Sequence, residues 1–209
     1  MICFAAKRKN ERKGGTNMAM SAGEALERLR AGNEAYLQAK NNTGDISNER
    51  IEELSRDGQA PYACIVTCAD SRVVPEHIFM TGLGELFCIR VAGNVIGQME
   101  LASCVYAAEH LGVKLVVILG HTQCGAVASA LEALAANDMP QGALAPLLAG
   151  VCAGIGDERD PRAASVANAH AGVTIVAQDA DIAHLASSQD VCVVPALYET
   201  ETGRVEFNC

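Results

Sequence analysis

The sequence contains no tryptophan, and only four phenylalanines and four tyrosines among its 209 residues. A platform on which nucleic-acid bases could stack is therefore not expected. Positive charge is also scarce: 16 Lys and Arg stand against 25 Asp and Glu, a net charge of -9. Nucleic-acid binders usually carry a basic face, so that class is set aside as well. No apolar run approaches the roughly 18–20 residues that a membrane helix needs. The longest candidates, around Val113–Leu119 and Cys192–Leu197, read as buried strands. No Cys-x-x-Cys pair occurs, which weakens a thiol-redox role.

Cysteine itself is plentiful. Nine occur, at positions 3, 64, 68, 88, 104, 124, 152, 192 and 209. The number is odd and several lie inside apolar runs, which is not the pattern of a disulfide framework. Reduced thiols in a cytoplasmic protein fit better, most of them acting as small core residues. Half of the chain is apolar, enough for one sizeable core, and a single domain over 21–209 is expected. Residues 1–20 differ in character. A short apolar start runs into Lys7, Arg8 and Lys9, the reverse of a secretory signal. The segment reads as a disordered or partner-wrapping arm, or as an overlong start with Met18 and Met20 as later alternatives.

Ser21-Ala-Gly-Glu24 is a capping box, and Leu26, Leu29, Tyr36 and Leu37 follow at helical spacing, with Asn41, Asn42 and Gly44 expected to end the helix. Beyond Pro61 short apolar runs alternate with helical stretches. Strands are expected at Tyr62–Thr67, Leu86–Arg90, Lys114–Gly120 and Val191–Leu197. Helices are expected near Pro75, over Gln98–Leu111 and over Gly125–Ala136. Residues 142–187 are Ala-rich and mostly helical in character, with Val173–Ala177 ambiguous, and Glu199–Phe207 reads as a polar turn and an edge strand. The alternation predicts an α/β fold, a mostly parallel central sheet flanked by helices, with an N-terminal helical arm and a C-terminal edge strand.

Sites in open parallel sheets form beyond the carboxyl ends of strands. Two predicted strand ends carry unusual residues: Cys68-Ala-Asp70-Ser-Arg72 and Gly120-His-Thr-Gln-Cys-Gly125. Taken singly, each has a bland reading: a core cysteine, a satisfied histidine, a turn with a surface ion pair. Together, Cys68, His121 and Cys124 supply two thiolates and an imidazole from two segments, a donor set for tetrahedral zinc with one position left open. Asp70 is a candidate fourth, switchable ligand. Arg72, two residues on and so on the same side of an extended chain, offers it a bidentate alternative and competes with the metal.

At these residues the chain resembles the β-class carbonic anhydrases. Cys68-Ala-Asp-Ser-Arg-Val-Val-Pro-Glu-His-Ile-Phe79 is similar to the family's first signature and Gly120–Gly125 to its second, with Arg90-Val-Ala-Gly-Asn94 between them. The likeness runs from Ala25-Leu and Gly32-Asn33 to Tyr198 and Thr202-Gly203-Arg204-Val205. It implies one zinc ion per subunit on Cys68, His121 and Cys124, an Asp70–Arg72 dyad, and reversible hydration of carbon dioxide to bicarbonate by zinc-activated hydroxide. It implies that Gln59 hydrogen-bonds substrate, that Phe87 walls the carbon dioxide pocket, and that Gly125 offers bicarbonate its N–H. It also implies that Tyr106 is contributed by a neighbouring subunit of a homodimer or dimer-of-dimers tetramer. Some bacterial members hold regulatory bicarbonate with a Trp three residues before the first Cys. Here that residue is Ile65, and only the matching Arg90 is present, which favours Asp70 on Arg72 with water on the metal. Activity rising toward alkaline pH is expected, because two thiolates donate more charge to zinc than imidazoles do. The proton shuttle is unassigned among His77, His110, His170 and His184. The rival readings are a carbon disulfide or carbonyl sulfide hydrolase on the same scaffold, a non-catalytic zinc protein, and a thiol-redox protein.

Overall fold

The computed structural model describes residues 19–38 and 40–207. The expected arm over residues 1–20 lies outside the described residues except for its last two, of which Met20 packs against the core. Cys3 and Cys209 lie outside them as well.

A five-stranded sheet, ordered β2-β1-β3-β4-β5, forms the centre. Its strands are β1 (Ala63–Thr67), β2 (Leu86–Arg90), β3 (Leu115–His121), β4 (Cys192–Tyr198) and β5 (Val205–Phe207). The first four run parallel, and only β5 is antiparallel, paired to β4. β1 and β3 are buried along their whole length, as strands covered on both faces should be. That placement explains why their sequences are continuous apolar runs rather than alternations.

The helices are α1 (Ala22–Leu37), α2 (Asn48–Asp57), α3 (Pro75–Ile78), α4 (Gln98–Leu111), α5 (Gly125–Ala136), α6 (Ala145–Ile155), α7 (Pro161–Gln178) and α8 (Ala180–Gln189). Alternate residues of β1 feed two cores. Ala63 and Ile65 pack with Leu29 of α1 and Ile78 of α3, whereas Cys64 and Val66 pack with Cys104 of α4, Ala169 of α7 and Ile182 of α8. A third cluster joins α5, α6 and α7 around Val127, Val151 and Ala164, and it includes Cys68 and Cys124. α7 lies close on β3 because Gly172 is bare there: a Cβ would meet the Ile118 side chain at 2.9 Å.

Most of the expected elements stand within a residue or two. The capping box forms, with Glu24 N–H on the Ser21 hydroxyl and Ser21 N–H on the Glu24 carboxylate. α1 stops at Leu37 rather than at the Asn41–Gly44 segment, its last turn closed by Gln38 N–H on the Glu34 and Tyr36 carbonyls. β3 extends through His121, so this residue closes the strand instead of following it. The β-branched run Val173–Ala177 is helical, inside α7, where Val176 is buried against the sheet. α2 was not expected. It has no buried residue and only two apolar ones, Ile51 and Leu54, on an otherwise charged helix, and its start is marked by the Ser47 cap on Arg50 N–H. No helix among the described residues is long and apolar enough to cross a membrane.

Candidate metal centre

β1 and β3 are adjacent and parallel, with Thr67 beside Leu119. Their carboxyl ends therefore meet at one edge, and the Thr67 hydroxyl ties them by donating to the Leu119 carbonyl at 2.8 Å. Cys68 follows β1 directly, His121 ends β3, and Cys124 is the N-cap of α5. One ligand atom from each lies within 4.8 Å of the other two, and all three side chains are buried.

The hydrogen bonds prepare these atoms for a cation. His121 Nδ1 lies 2.9 Å from the Thr122 carbonyl, which can only accept, so Nδ1 carries the proton. Nε2 is then a lone pair, buried and without a hydrogen-bond partner. An imidazole fully removed from water with an orphan acceptor is costly unless something electrophilic meets it. Cys68 Sγ accepts from Asp70 N–H at 3.4 Å and from Gly93 N–H at 3.3 Å. The neighbouring Cys124 thiol, above all, holds the Cys68 thiol down to about 4. Cys124 is raised in turn, first by its hydrogen bond to Cys68, in which it keeps the proton, and then by burial. A cation between the two sulfurs would favour the thiolate form of both. Two sulfurs and a borderline nitrogen suit a metal of zinc's softness.

Gly93 makes the second of those N–H bonds possible. Its φ is +68°, and a Cβ there would meet Ala126 Cβ at 2.9 Å and Val151 Cγ2 at 3.0 Å. Its carbonyl accepts from the buried Asn168 amide at 2.8 Å.

Asp70 is not among the clustered donors. Both of its carboxylate oxygens face Arg72, Oδ1 accepting from Nε at 3.0 Å and Oδ2 from Nη2 at 2.8 Å. The side chains do not share one side of an extended strand, as the spacing suggested. Arg72 N–H donates to Asp70 Oδ1 at 2.9 Å, so the segment is a tight Asx turn that folds the guanidinium back onto the carboxylate. The Arg72 hydrogen bond holds the Asp70 carboxyl down to about 2. Arg72 in turn donates Nη1 to the Gln123 side-chain oxygen and Nη2 to the Gln123 carbonyl.

The four remaining candidates divide. Gly125 opens α5 beside Cys124, exposed, with open space where a Cβ would be. Phe87 and Tyr106 meet each other, ring centroids 6.2 Å apart, on β2 and α4. Phe87 pairs with Cys64, however, four residues short of Cys68, a distance along the strand of about 13 Å. Gln59 is exposed ahead of β1, and the strand alone separates its two ends by about 17 Å. One chain therefore brings Cys68, Asp70, Arg72, His121, Cys124 and Gly125 together, and leaves Gln59, Phe87 and Tyr106 toward the other end of the sheet. A cavity of 430 Å³ between Asn94–Ile96, α6 and α7 is lined by none of the nine.

Four contributors were not anticipated. Gly93, Arg90, Gln123 and Asn168 hold the ligand loops by hydrogen bonds. The first three lie in the recognised motifs with no contact assigned to them. Arg90 was noted only against a regulatory site, yet it donates to the carbonyls of Cys68 and Asp70. Asn168, on α7, had no sequence signal.

A family model described as carbonic anhydrase matches residues 63–205. Among curated proteins, carbonic anhydrase 2 of Mycobacterium tuberculosis is 42% identical over 118 residues, 56% of each chain. The chain thus spans little more than half the length of that relative in the match. Among solved structures, the β-carbonic anhydrase CafA of Aspergillus fumigatus is 27% identical over 77% of this chain and 82% of its own, with a TM-score of 0.65. A tetrameric β-carbonic anhydrase of Sordaria macrospora superposes at a TM-score of 0.66 over 88% of this chain and 93% of its own, at 23% identity. A carbon disulfide hydrolase shares the fold at 20% identity and a TM-score of 0.50, over 76% and 86% of the two chains.

Proposed function

The chain belongs to the β-class carbonic anhydrase family, and on that premise we propose that it catalyses reversible hydration of carbon dioxide to bicarbonate and a proton. One zinc ion per subunit would be held by Cys68, His121 and Cys124. The observation that carries this reading is the buried, unpartnered Nε2 of His121 clustered with the sulfurs of Cys68 and Cys124, all within 4.8 Å of one another. Zinc, when bound, supplies a Lewis acid that makes hydroxide available from water near neutral pH.

The protein groups then do the positioning. Thr122 fixes the His121 tautomer so that its lone pair faces inward. Gly93 and Asp70 N–H groups steady the Cys68 thiolate. Asp70, gripped by Arg72, is kept ionised and accepts the hydrogen bond of the attacking hydroxyl, whose free lone pair is thereby aimed at carbon. Gly125 N–H, at the first turn of α5, is placed to receive a bicarbonate oxygen where the helix dipole favours negative charge.

Gln59, Phe87 and Tyr106 serve in this reading from a second copy. Their distance from the donors within one chain supports it, as does the exposure of α4, where Met99 and Tyr106 are 75% and 48% exposed. A homodimer meeting through the β2 edge and α4, or a tetramer of such dimers, would set those side chains over the neighbour's Cys68. The described cysteines are free thiols, in keeping with a reducing cytoplasm. Residues 21–209 act as the catalytic unit.

The test is metal analysis with an assay. Purified chain should carry about one zinc per subunit, lose hydration on chelation and regain it with zinc. Hydrolysis of carbon disulfide or carbonyl sulfide without hydration of carbon dioxide would replace this reading by that of the hydrolase sharing the fold.

A further inference from the structure

We propose that Gln123 is a positioning residue that, with Glu201, clamps Arg72 in the pose that holds Asp70 away from the metal centre. The proposal rests on the metal-centre reading above and extends it to two residues outside the ligand set and dyad.

Gln123 sits at φ +57°, in the left-handed region. Glycine enters that region freely and asparagine more readily than most, whereas a longer side chain is strained there. Strain of this kind persists where the surroundings enforce it and the residue has a use. The use is visible. One residue presents two oxygens to one guanidinium: its carbonyl to Nη2 at 3.1 Å and its side-chain Oε1 to Nη1 at 3.2 Å. Its other amide atom, Nε2, donates to Glu201 Oε1 at 2.8 Å. An amide suits this place because it accepts from a cation at one end and donates to an anion at the other. A carboxylate here would face Glu201, and a cation would face Arg72.

Glu201 is itself fixed relative to the ligands. It lies in the turn between β4 and β5, where Thr200 N–H donates to the Thr122 hydroxyl at 3.0 Å and the two threonine hydroxyls meet at 3.1 Å. Thr122 adjoins His121 and holds its Nδ1 proton. The chain Asp70–Arg72–Gln123–Glu201 therefore starts beside one ligand and ends on a turn bonded to the neighbour of another.

Without the Gln123 side chain, Arg72 would lose its Nη1 bond and the link to Glu201, keeping its two bonds to Asp70 and the one to the backbone carbonyl. Its side chain is 49% exposed, and an exposed pair of this kind holds a flexible side chain weakly. Asp70 is two residues from Cys68, so a cation at the centre is the competing partner for its carboxylate. Arg72 with four hydrogen bonds and a link to Glu201 wins that competition more often than Arg72 with three and no such link. Gln123 thus acts on the equilibrium between an open and a carboxylate-closed centre, through differential contacts in the two states.

The test uses full-length chain loaded with cobalt, in which a small anion that needs the open position can be titrated by absorbance. Azide is the probe, and the variants are Gln123→Ala, Gln123→Gly and Glu201→Gln. Closing the centre lowers the competent fraction and raises the apparent Kd in proportion. Expected are azide affinities weaker by about three- to tenfold in Gln123→Ala and Gln123→Gly, with a smaller loss in Glu201→Gln. A crystal structure of metal-loaded Gln123→Gly should show an Asp70 oxygen on the metal. Gln123→Gly also relieves the left-handed strain, so its melting temperature should not fall. Unchanged azide affinity in both Gln123 variants overturns the proposal. So does a loss of affinity that appears only with a lowered melting temperature, which would make the residue merely structural. Wild-type protein that binds cobalt and azide but never hydrates carbon dioxide would instead overturn the function proposed above, while the clamp would still be read by the titration.

Discussion

Arg90, the last residue of β2, donates Nη2 to the carbonyl of Asp70 at 2.8 Å, and its Nε reaches the Cys68 carbonyl at 3.3 Å. The loop that carries the first ligand and the dyad carboxylate is therefore tied to the neighbouring strand by one guanidinium. Arg90→Met keeps the apolar stem and removes both bonds. It should lower stability by about 1 kcal/mol and speed metal loss. Urea denaturation and zinc release to a chelator are the measurements. Faster release without a stability change would still locate the role in the loop, whereas no change in either would dismiss it.

Asp70 makes acid stability informative. In the folded, metal-free chain its carboxyl is held at about 2 by Arg72, against about 3.9 in an unfolded chain. The folded value is the lower one, so folding favours the ionised form. The stabilisation is fully present above pH 4 and is lost as pH falls through 4 toward 2. Asp70→Asn should flatten that part of the stability curve of the metal-free protein. Identical slopes for wild type and variant between about pH 4 and 2 would show that the pair contributes nothing to folding.

The separation of Phe87 from Cys68 along the strands gives a mixing experiment. If the pocket wall comes from a second copy, Phe87→Ala chains and Asp70→Ala chains are each impaired at different halves of a shared site. Co-refolded, they should recover part of the hydration rate, because some mixed dimers carry one intact site. Mixtures no better than the sum of the two variants would place Phe87, Gln59 and Tyr106 outside the site.

The sequence was most legible where local chemistry and burial agree. Ser21 and Glu24 announce α1, Gly112 stops α4, and the unbroken apolar run of β3 declares a strand covered on both faces. The meeting of Cys68, His121 and Cys124 was legible for the same reason: two strand ends, each carrying soft donors, must meet if the strands are parallel neighbours. α2 escaped because it carries only two apolar residues, Ile51 and Leu54, too few to stand out as a core-facing stripe. The turn at Asp70–Arg72 escaped because a two-residue spacing does not separate extended chain from an Asx turn; the backbone N–H of Arg72 decides it. Gly93, Asn168 and Arg90 act through backbone carbonyls and N–H groups, contacts that no spacing in one sequence reveals. Gln59, Phe87 and Tyr106 could be named from a resemblance but not positioned, because their place depends on which end of the sheet each one lies toward.

The pH profile of the reaction bears on the two thiolates. Charge donated by Cys68 and Cys124 makes zinc a weaker acidifier of water than an all-imidazole set. The hydration rate should climb from about pH 6.5 to about pH 9. A flat profile over that range would argue against a two-thiolate centre.

The central claim is that Asp70, held by Arg72 beside a Cys68–His121–Cys124 zinc centre, orients the attack on carbon dioxide. The most direct measurement is the hydration rate of Asp70→Ala protein together with its zinc content. The account predicts about one zinc per subunit, as in wild type, and a rate reduced by about a hundredfold or more. A fully zinc-loaded Asp70→Ala protein that hydrates carbon dioxide at the wild-type rate would contradict it.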